Sequence, residues 1–132
     1  MTKSVLFVCA ANRGRSVASE YIFRKMLRER DERLASWVKV SSAGMFEEED
    51  AKWLKGFGLE PPEITFGKRP YRNLITVFQK MGIDISNHRS RKLTTDLMQE
   101  ADLIIVSEEY PPYRKTAIVT SWPWARDKIF TF

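Results

Sequence analysis

The chain has 132 residues, 43% of them hydrophobic and 30% charged, with a formal net charge of +5 at pH 7. At about 150 residues per domain this is one domain, residues 1–132, with apolar side chains enough for a core, which excludes an intrinsically disordered chain. No run approaches the roughly 18 consecutive apolar residues of a membrane span, nothing at the start reads as a signal peptide, and one cysteine excludes an internal disulfide and a Cys-rich zinc module. The expected compartment is therefore the reducing cytoplasm, with no membrane partner. The basic residues are dispersed with no unbroken Lys/Arg block, so nucleic acid rests on net charge alone and is not an expected partner.

Residues 4–9, S-V-L-F-V-C, form a short continuous apolar run, the mark of a strand buried on both faces of a parallel sheet. A polar stretch, A-A-N-R-G, follows. From Ser16 to about Arg30 the spacing of Ala18, Tyr21, Ile22, Met26 and Leu27 predicts an amphipathic helix, with Glu20, Arg24, Arg28 and Arg30 between them. Residues 37–40 read as a second strand that ends at S-S-A-G. Residues 45–70 carry an acidic run and then six Gly or Pro, with a helical fragment around residues 51–55. Residues 71–81 form an amphipathic helix with Gly82 as its C-terminal cap. Residues 93–100 form a short helix, residues 101–107 a buried strand and residues 116–120 a fourth strand. Alternating strands and helices give an α/β three-layer sandwich around a four-stranded parallel sheet.

Ligands bind in such folds beyond the carboxyl ends of the strands. There stand Cys9, the five-residue loop Ala10, Ala11, Asn12, Arg13 and Gly14, then Arg15 and Ser16 at the start of a helix. A short loop can turn its backbone N–H groups inward as an anion nest, and the helix N-terminus adds positive partial charge. Arg15 can close the ring with a bidentate guanidinium fork. The same field favours a thiolate at Cys9, in line with the phosphorus of a bound phosphate. Ser16 can hydrogen-bond that sulfur. Neither G-x-x-x-x-G-K-[ST] nor G-x-G-x-x-G follows this strand.

V-L-F-V-C-A-A-N-R-G-R-S, with S-E after it, resembles the opening of the low-molecular-weight protein tyrosine phosphatases, C-x-x-N-x-x-R-S between a strand and a helix. S-S-A-G at residues 41–44, G-I-D-I-S-N-H-R-S-R-K-L at residues 82–93 and A-D-L-I-I-V at residues 101–106 resemble the family in the same order. The resemblance implies a phosphate-binding loop after the first strand and a metal-independent hydrolysis of phosphomonoesters in two steps. Cys9 would form a phosphocysteine, Arg15 and the loop amides would hold the equatorial oxygens, and a general acid would protonate the leaving group. Asn12 would shape the loop, Ser42 would support Asn12, and His88 would be structural. The implied substrates are phosphorylated proteins or small aryl phosphates.

The chain departs from the family in several places. The D-P-[YF] segment that carries the family's acid is absent. One alignment puts Trp122, Pro123 and Trp124 on it; the preferred one puts the acid at Asp127, the only acidic residue after Glu109. The family's long C-terminal helix is shortened or missing, so Trp122, Trp124, Ile129, Phe130 and Phe132 are expected to cover the sheet or to form a homodimer contact. Gly14 stands where many relatives carry a second cysteine, which denies an overoxidised Cys9 its protective disulfide. Ala11 replaces a common Gly, a constraint if that position needs positive φ, and Arg13 replaces a usually apolar residue at the mouth. Trp53, Phe57, Phe66 and Tyr71 are read as core rather than cleft wall. Asp84, Asp102, Glu108 and Glu109 make no metal-ligand set, so neither metal nor cofactor is expected. The rival readings are an oxyanion- or phosphoprotein-binding module with weak or no catalysis and an arsenate reductase that relies on an external thiol.

Overall fold

The structure is a computed structural model that describes residues 2–46, 48–58, 66–107 and 113–132, with the backbone alone at residues 48, 49, 53, 54 and 113. Four strands, β1 (Lys3–Cys9), β2 (Val38–Gly44), β3 (Leu103–Val106) and β4 (Ile129–Thr131), form one sheet in the order β2-β1-β3-β4, every pair parallel. The helices are α1 (Arg15–Arg30), α2 (Glu32–Trp37), α3 (Glu48–Gly56), α4 (Arg72–Lys80), α5 (Thr95–Glu100) and α6 (Tyr113–Ser121), with a 3₁₀ segment at Pro123–Lys128.

The strands alternate between two cores, because successive side chains point to opposite faces. Leu6, Val8, Ala43, Ile104 and Val106 pack with Leu93, Met98, Ile118, Ala125 and Ile129 on one face. Val5, Phe7 and Val40 meet Phe23 and Leu27 of α1 on the other. Val17 joins Phe78, Ile83 and Ile85 in a third cluster, which seats α4 against α1. This places the strand ends Cys9, Gly44 and Val106 along one edge: Cys9 is level with Gly44, and Ser107 N–H donates to Val8 O at 2.8 Å.

Residues 116–120 are not the fourth strand; they lie in α6. Their β-branched side chains imitate a strand, and periodicity cannot separate so short an apolar run from a buried helix. The helix wins because Arg114 and Ile118, four residues apart, bury the same face, while Thr120 Oγ1 donates back to Thr116 O at 2.8 Å. The fourth strand is the terminal I-F-T, whose Ile129 enters the core. The last elements described are the 3₁₀ segment and β4. Of the terminal aromatics, Trp124, Phe130 and Phe132 are all exposed, although Phe132 meets Phe7 edge to face at 6.2 Å. No helix of the described residues is long and apolar enough to cross a membrane.

Candidate active site

β1 delivers Cys9, 3% exposed, to the carboxyl edge of the sheet, and α1 begins at Arg15. Between them the backbone N–H groups of Ala10, Ala11, Asn12, Arg13 and Gly14 donate to none of the described residues. A run of unpaired donors at a helix N-terminus is the electrostatic form of an anion site. Asn12 turns the chain there, with φ of 55°; Asn tolerates this left-handed region better than most residues. Ala11, the expected point of strain, is not in that region.

A buried chain of hydrogen bonds fixes the turn and orders the protons. Ser42 Oγ donates to Glu20 Oε1 at 2.5 Å, since a carboxylate only accepts. Asn12 Nδ2 donates to Ser42 Oγ and to Ser16 Oγ, each at 2.8 Å. Ser16 Oγ lies 2.9 Å from Cys9 Sγ, where either group can donate to the other and Ser16 donates to an ionised sulfur. Asn12 Oδ1 accepts from Arg91 N–H at 3.1 Å and stands 3.2 Å from His88 Nε2. Both neighbours of Nε2 at Asn12 are acceptors, so the neutral ring carries its proton on Nε2. Burial is the first cause that holds the His88 pKa below its usual value; Arg91 and Arg24 act in the same direction, against Glu20 and the Asn12 carbonyl.

Asn12, Ser16 and Ser42, read from the sequence as loop and support, thus come together with Cys9. Glu20 was hidden there as a polar-face residue of α1, yet it is 3% exposed and is bridged at 2.5 Å by Arg24. Its signal was its position four residues after Ser16, on the same face of the helix. Gly44 is a second residue that the sequence reading left without a role. A Cβ there would stand 2.7 Å from Ala10 O and 3.0 Å from Asn12 N. Only glycine lets β2 approach the loop so closely.

The structure does not bring Asp127 to the loop. Asp127 is exposed in the 3₁₀ segment before β4, and Ile129 is level with Ile104 and so with Leu6. Cys9 lies three strand residues further, about 10 Å at about 3.3 Å per residue. Lys128 holds this segment at the amino edge, its Nζ donating to Met98 O and Ala101 O at 2.6 Å, where it serves the C-terminal carbonyls of α5. Trp122, the other alignment's choice, packs beside the α5–α6 core and donates its indole N–H to Thr95 Oγ1 at 3.0 Å.

The aromatics read as core divide differently. Phe57 is exposed; Tyr71, 49% exposed, lies 3.5 Å from where a Gly14 Cβ would be; and Phe66 lies against Gly44. The Trp53 side chain lies outside the described residues, as do Glu108 and Glu109. Phe66 joins Met45, Phe46, Leu93 and Trp122 around a cavity of about 620 Å³ beside Gly44. Behind the edge, Arg114 pairs with Asp50 in the interior and donates to Ser107 O at 3.0 Å and to Met45 O at 3.3 Å. That pair ties α6 and α3 to the ends of β3 and β2. Among the described residues, no group of three His, Cys, Asp or Glu could hold a metal ion.

The family model described as low molecular weight phosphotyrosine protein phosphatase matches residues 4–55. The chain is 25% identical over 128 residues to the low molecular weight protein-tyrosine-phosphatase Ptp of Acinetobacter johnsonii, covering 97% of this chain and 70% of that protein. It is 32% identical over 106 residues to the probable low molecular weight protein-tyrosine-phosphatase EpsP of Ralstonia solanacearum, covering 80% of this chain and 56% of that one. It thus spans from just over half to 70% of the length of these relatives. Among solved structures, Vibrio vulnificus Wzb in complex with benzylphosphonate superposes with a TM-score of 0.71 at 27% identity, over 99% of this chain and 73% of that one.

Proposed function

We propose that the chain is a member of the low molecular weight phosphotyrosine protein phosphatase family, which the match of its model to residues 4–55 supports, and that it hydrolyses phosphomonoesters through a phosphocysteine on Cys9. The observation that carries this reading is the run of amides at residues 10–14, unpaired among the described residues, beside a cysteine whose sulfur lies 2.9 Å from Ser16 Oγ. The amides and the Arg15 guanidinium hold the three equatorial oxygens, where charge must be stabilised in phosphoryl transfer. They supply the positive charge that a metal supplies elsewhere, so the reaction is metal-independent.

In the first step the Cys9 sulfur attacks phosphorus, a P–S bond forms and the P–O bond to the leaving group breaks. Ser16 then stabilises the sulfur as water attacks phosphorus, the P–S bond breaks and phosphate departs. Asp127 stands at the far edge of the sheet, so it does not protonate the leaving oxygen from that position. The reading therefore favours leaving groups that depart with little help, phenols above all. Benzylphosphonate, an aryl-bearing phosphonate, occupies the related Wzb structure. The substrates are phosphorylated tyrosine side chains or small aryl phosphates, and the setting is a reducing cytoplasm that keeps Cys9 a thiol.

The test is a series of aryl phosphates whose phenols differ in acidity, assayed in EDTA with wild type and Asp127→Asn. The expected result is turnover that falls steeply as the phenol becomes less acidic, with both proteins on one line. A fall of about 10²–10⁴ in Asp127→Asn, the usual worth of a general acid, would restore Asp127 to the mechanism. Phosphate or vanadate binding without turnover of any ester would favour the binding module.

A further inference from the structure

The loop's rim carries a guanidinium fixed in place whose outer nitrogens meet no acceptor among the described residues. Arg13 Nε donates to Arg69 O at 2.7 Å, and its guanidinium carbon lies 4.6 Å above the centre of the Tyr71 ring. The backbone is tied at the same point, Tyr71 N–H donating to Arg13 O at 3.1 Å. The partner segment is itself anchored: Ser90 accepts from Gly67 N–H at 2.6 Å and, through Oγ, from Lys68 N–H at 2.9 Å, and donates to Lys68 O at 2.8 Å. Stacking and one hydrogen bond thus fix Arg13, while its two terminal nitrogens donate to none of the described residues.

The segment that holds Arg13 is basic. Residues 66–80 include Lys68, Arg69, Arg72 and Lys80 and not one Asp or Glu. Neither Arg13 nor Lys68, Arg69 or Arg72 pairs with a carboxylate among the described residues. A preorganised guanidinium loses little freedom when it grips a planar carboxylate with its two outer nitrogens. Arg13 lies within the loop whose amides face the phosphoryl group, so an anion on its fork is a near neighbour of the scissile phosphate in the same substrate.

We propose that Arg13, held by Tyr71 and Arg69, forms a subsite for a second anionic group on the substrate, an Asp or Glu side chain next to a phosphorylated tyrosine. The proposal rests on the phosphatase reading and specifies its substrate class: acidic phosphopeptides rather than neutral or basic ones.

The experiment uses three phosphotyrosine peptides of one length, flanked by Glu, by Gln or by Lys. Hydrolysis is followed with wild type, Arg13→Met, Arg13→Lys and Tyr71→Leu. Equilibrium binding of the same labelled peptides is followed by fluorescence anisotropy with the Cys9→Ser chain, with and without Arg13→Met. The Glu peptide should be preferred over the Gln peptide by about three- to tenfold, the range of one partly exposed charge-assisted contact, in KM and in Kd rather than in kcat. The preference should shrink with added salt, disappear in Arg13→Met, persist in part in Arg13→Lys and narrow in Tyr71→Leu. Equal handling of the Glu and Gln peptides, or a preference that survives Arg13→Met, overturns the subsite. If neither the peptides nor para-nitrophenyl phosphate is hydrolysed, the phosphatase reading fails while the anisotropy series still decides the subsite: a Glu preference that depends on Arg13 supports it, and no binding of any peptide overturns it.

Discussion

Asn12 stands in the left-handed region and spends every side-chain hydrogen bond to stay there: two donated to Ser16 and Ser42, with Arg91 and His88 on its oxygen. Ser42→Ala should take the hydrogen bond from Glu20 Oε1 and leave one Asn12 proton without its acceptor, costing about 1–3 kcal/mol. A melting temperature unchanged by that substitution would contradict the network. Gly44→Ala should act on the loop directly. Its new methyl group meets the loop backbone at Ala10 O and Asn12 N as well as the Phe66 ring, so the loop must shift, and inhibition by vanadate should weaken about tenfold or more for an overpacking strain of about 1–3 kcal/mol. His88 makes the same region sensitive to acid. Its pKa is lower in the folded protein than its ordinary 6.5, so below that value the unfolded chain takes up a proton that the folded chain refuses. The contribution of neutral His88 is complete above about pH 6.5 and is lost as the pH falls toward the folded value. Thermal melts between pH 7.5 and 5 should show this loss, and His88→Gln should flatten the slope. The residues of this site were unevenly legible in the sequence. Cys9, Arg15 and Ser16 announce themselves by spacing. Glu20 does not, because amphipathic periodicity assigns a charge to solvent whereas here Ser42 and Arg24 satisfy it in the interior.

Elements differ in how much of their state lies in local pattern. β1 and α1 follow directly from an apolar run and from a 3.6-residue stripe, and both are found within a residue of where the pattern puts them. α6 is the instructive case. T-A-I-V-T has the composition of a strand, and what makes it helical is non-local: Arg114, one turn earlier, must reach Asp50, Ser107 and Met45. The neighbouring 3₁₀ segment likewise takes its place from Lys128 capping α5, a contact across 27 residues that no window sees. That contact carries Asp127 away from the loop, which is why an acidic residue at a plausible sequence position is not a residue of the site. The buried pair allows a sharp prediction. Arg114→Met should remove the buried cation that faces Asp50 and cost about 3–5 kcal/mol, whereas the double variant Asp50→Leu, Arg114→Met should recover much of it. Equal denaturant midpoints for the single and double variants would show that the pair does not bind α3 to α6.

At the scale of the whole molecule, the parallel sheet gathers the ends of β1, β2 and β3 at one edge and leaves the 3₁₀ segment at the other. The chemistry follows from that polarity: amides, Arg15 and Cys9 share an edge, and every residue of the supporting network lies behind it. The terminal aromatics belong to a different surface. Trp124, Phe130 and Phe132 stay exposed, and self-association through this terminal segment remains a proposal that light scattering at micromolar protein decides, a monomeric mass removing it. The central claim is that Cys9 carries the phosphoryl group. Its most direct measurement is an acid quench during turnover of para-nitrophenyl phosphate in EDTA, followed by mass spectrometry of the Cys9 peptide. The account predicts a phosphorylated Cys9 in wild type, and no turnover and no adduct at Cys9 in the Cys9→Ser chain. Hydrolysis that continues in Cys9→Ser, or turnover in wild type with the phosphoryl group found elsewhere, would contradict it.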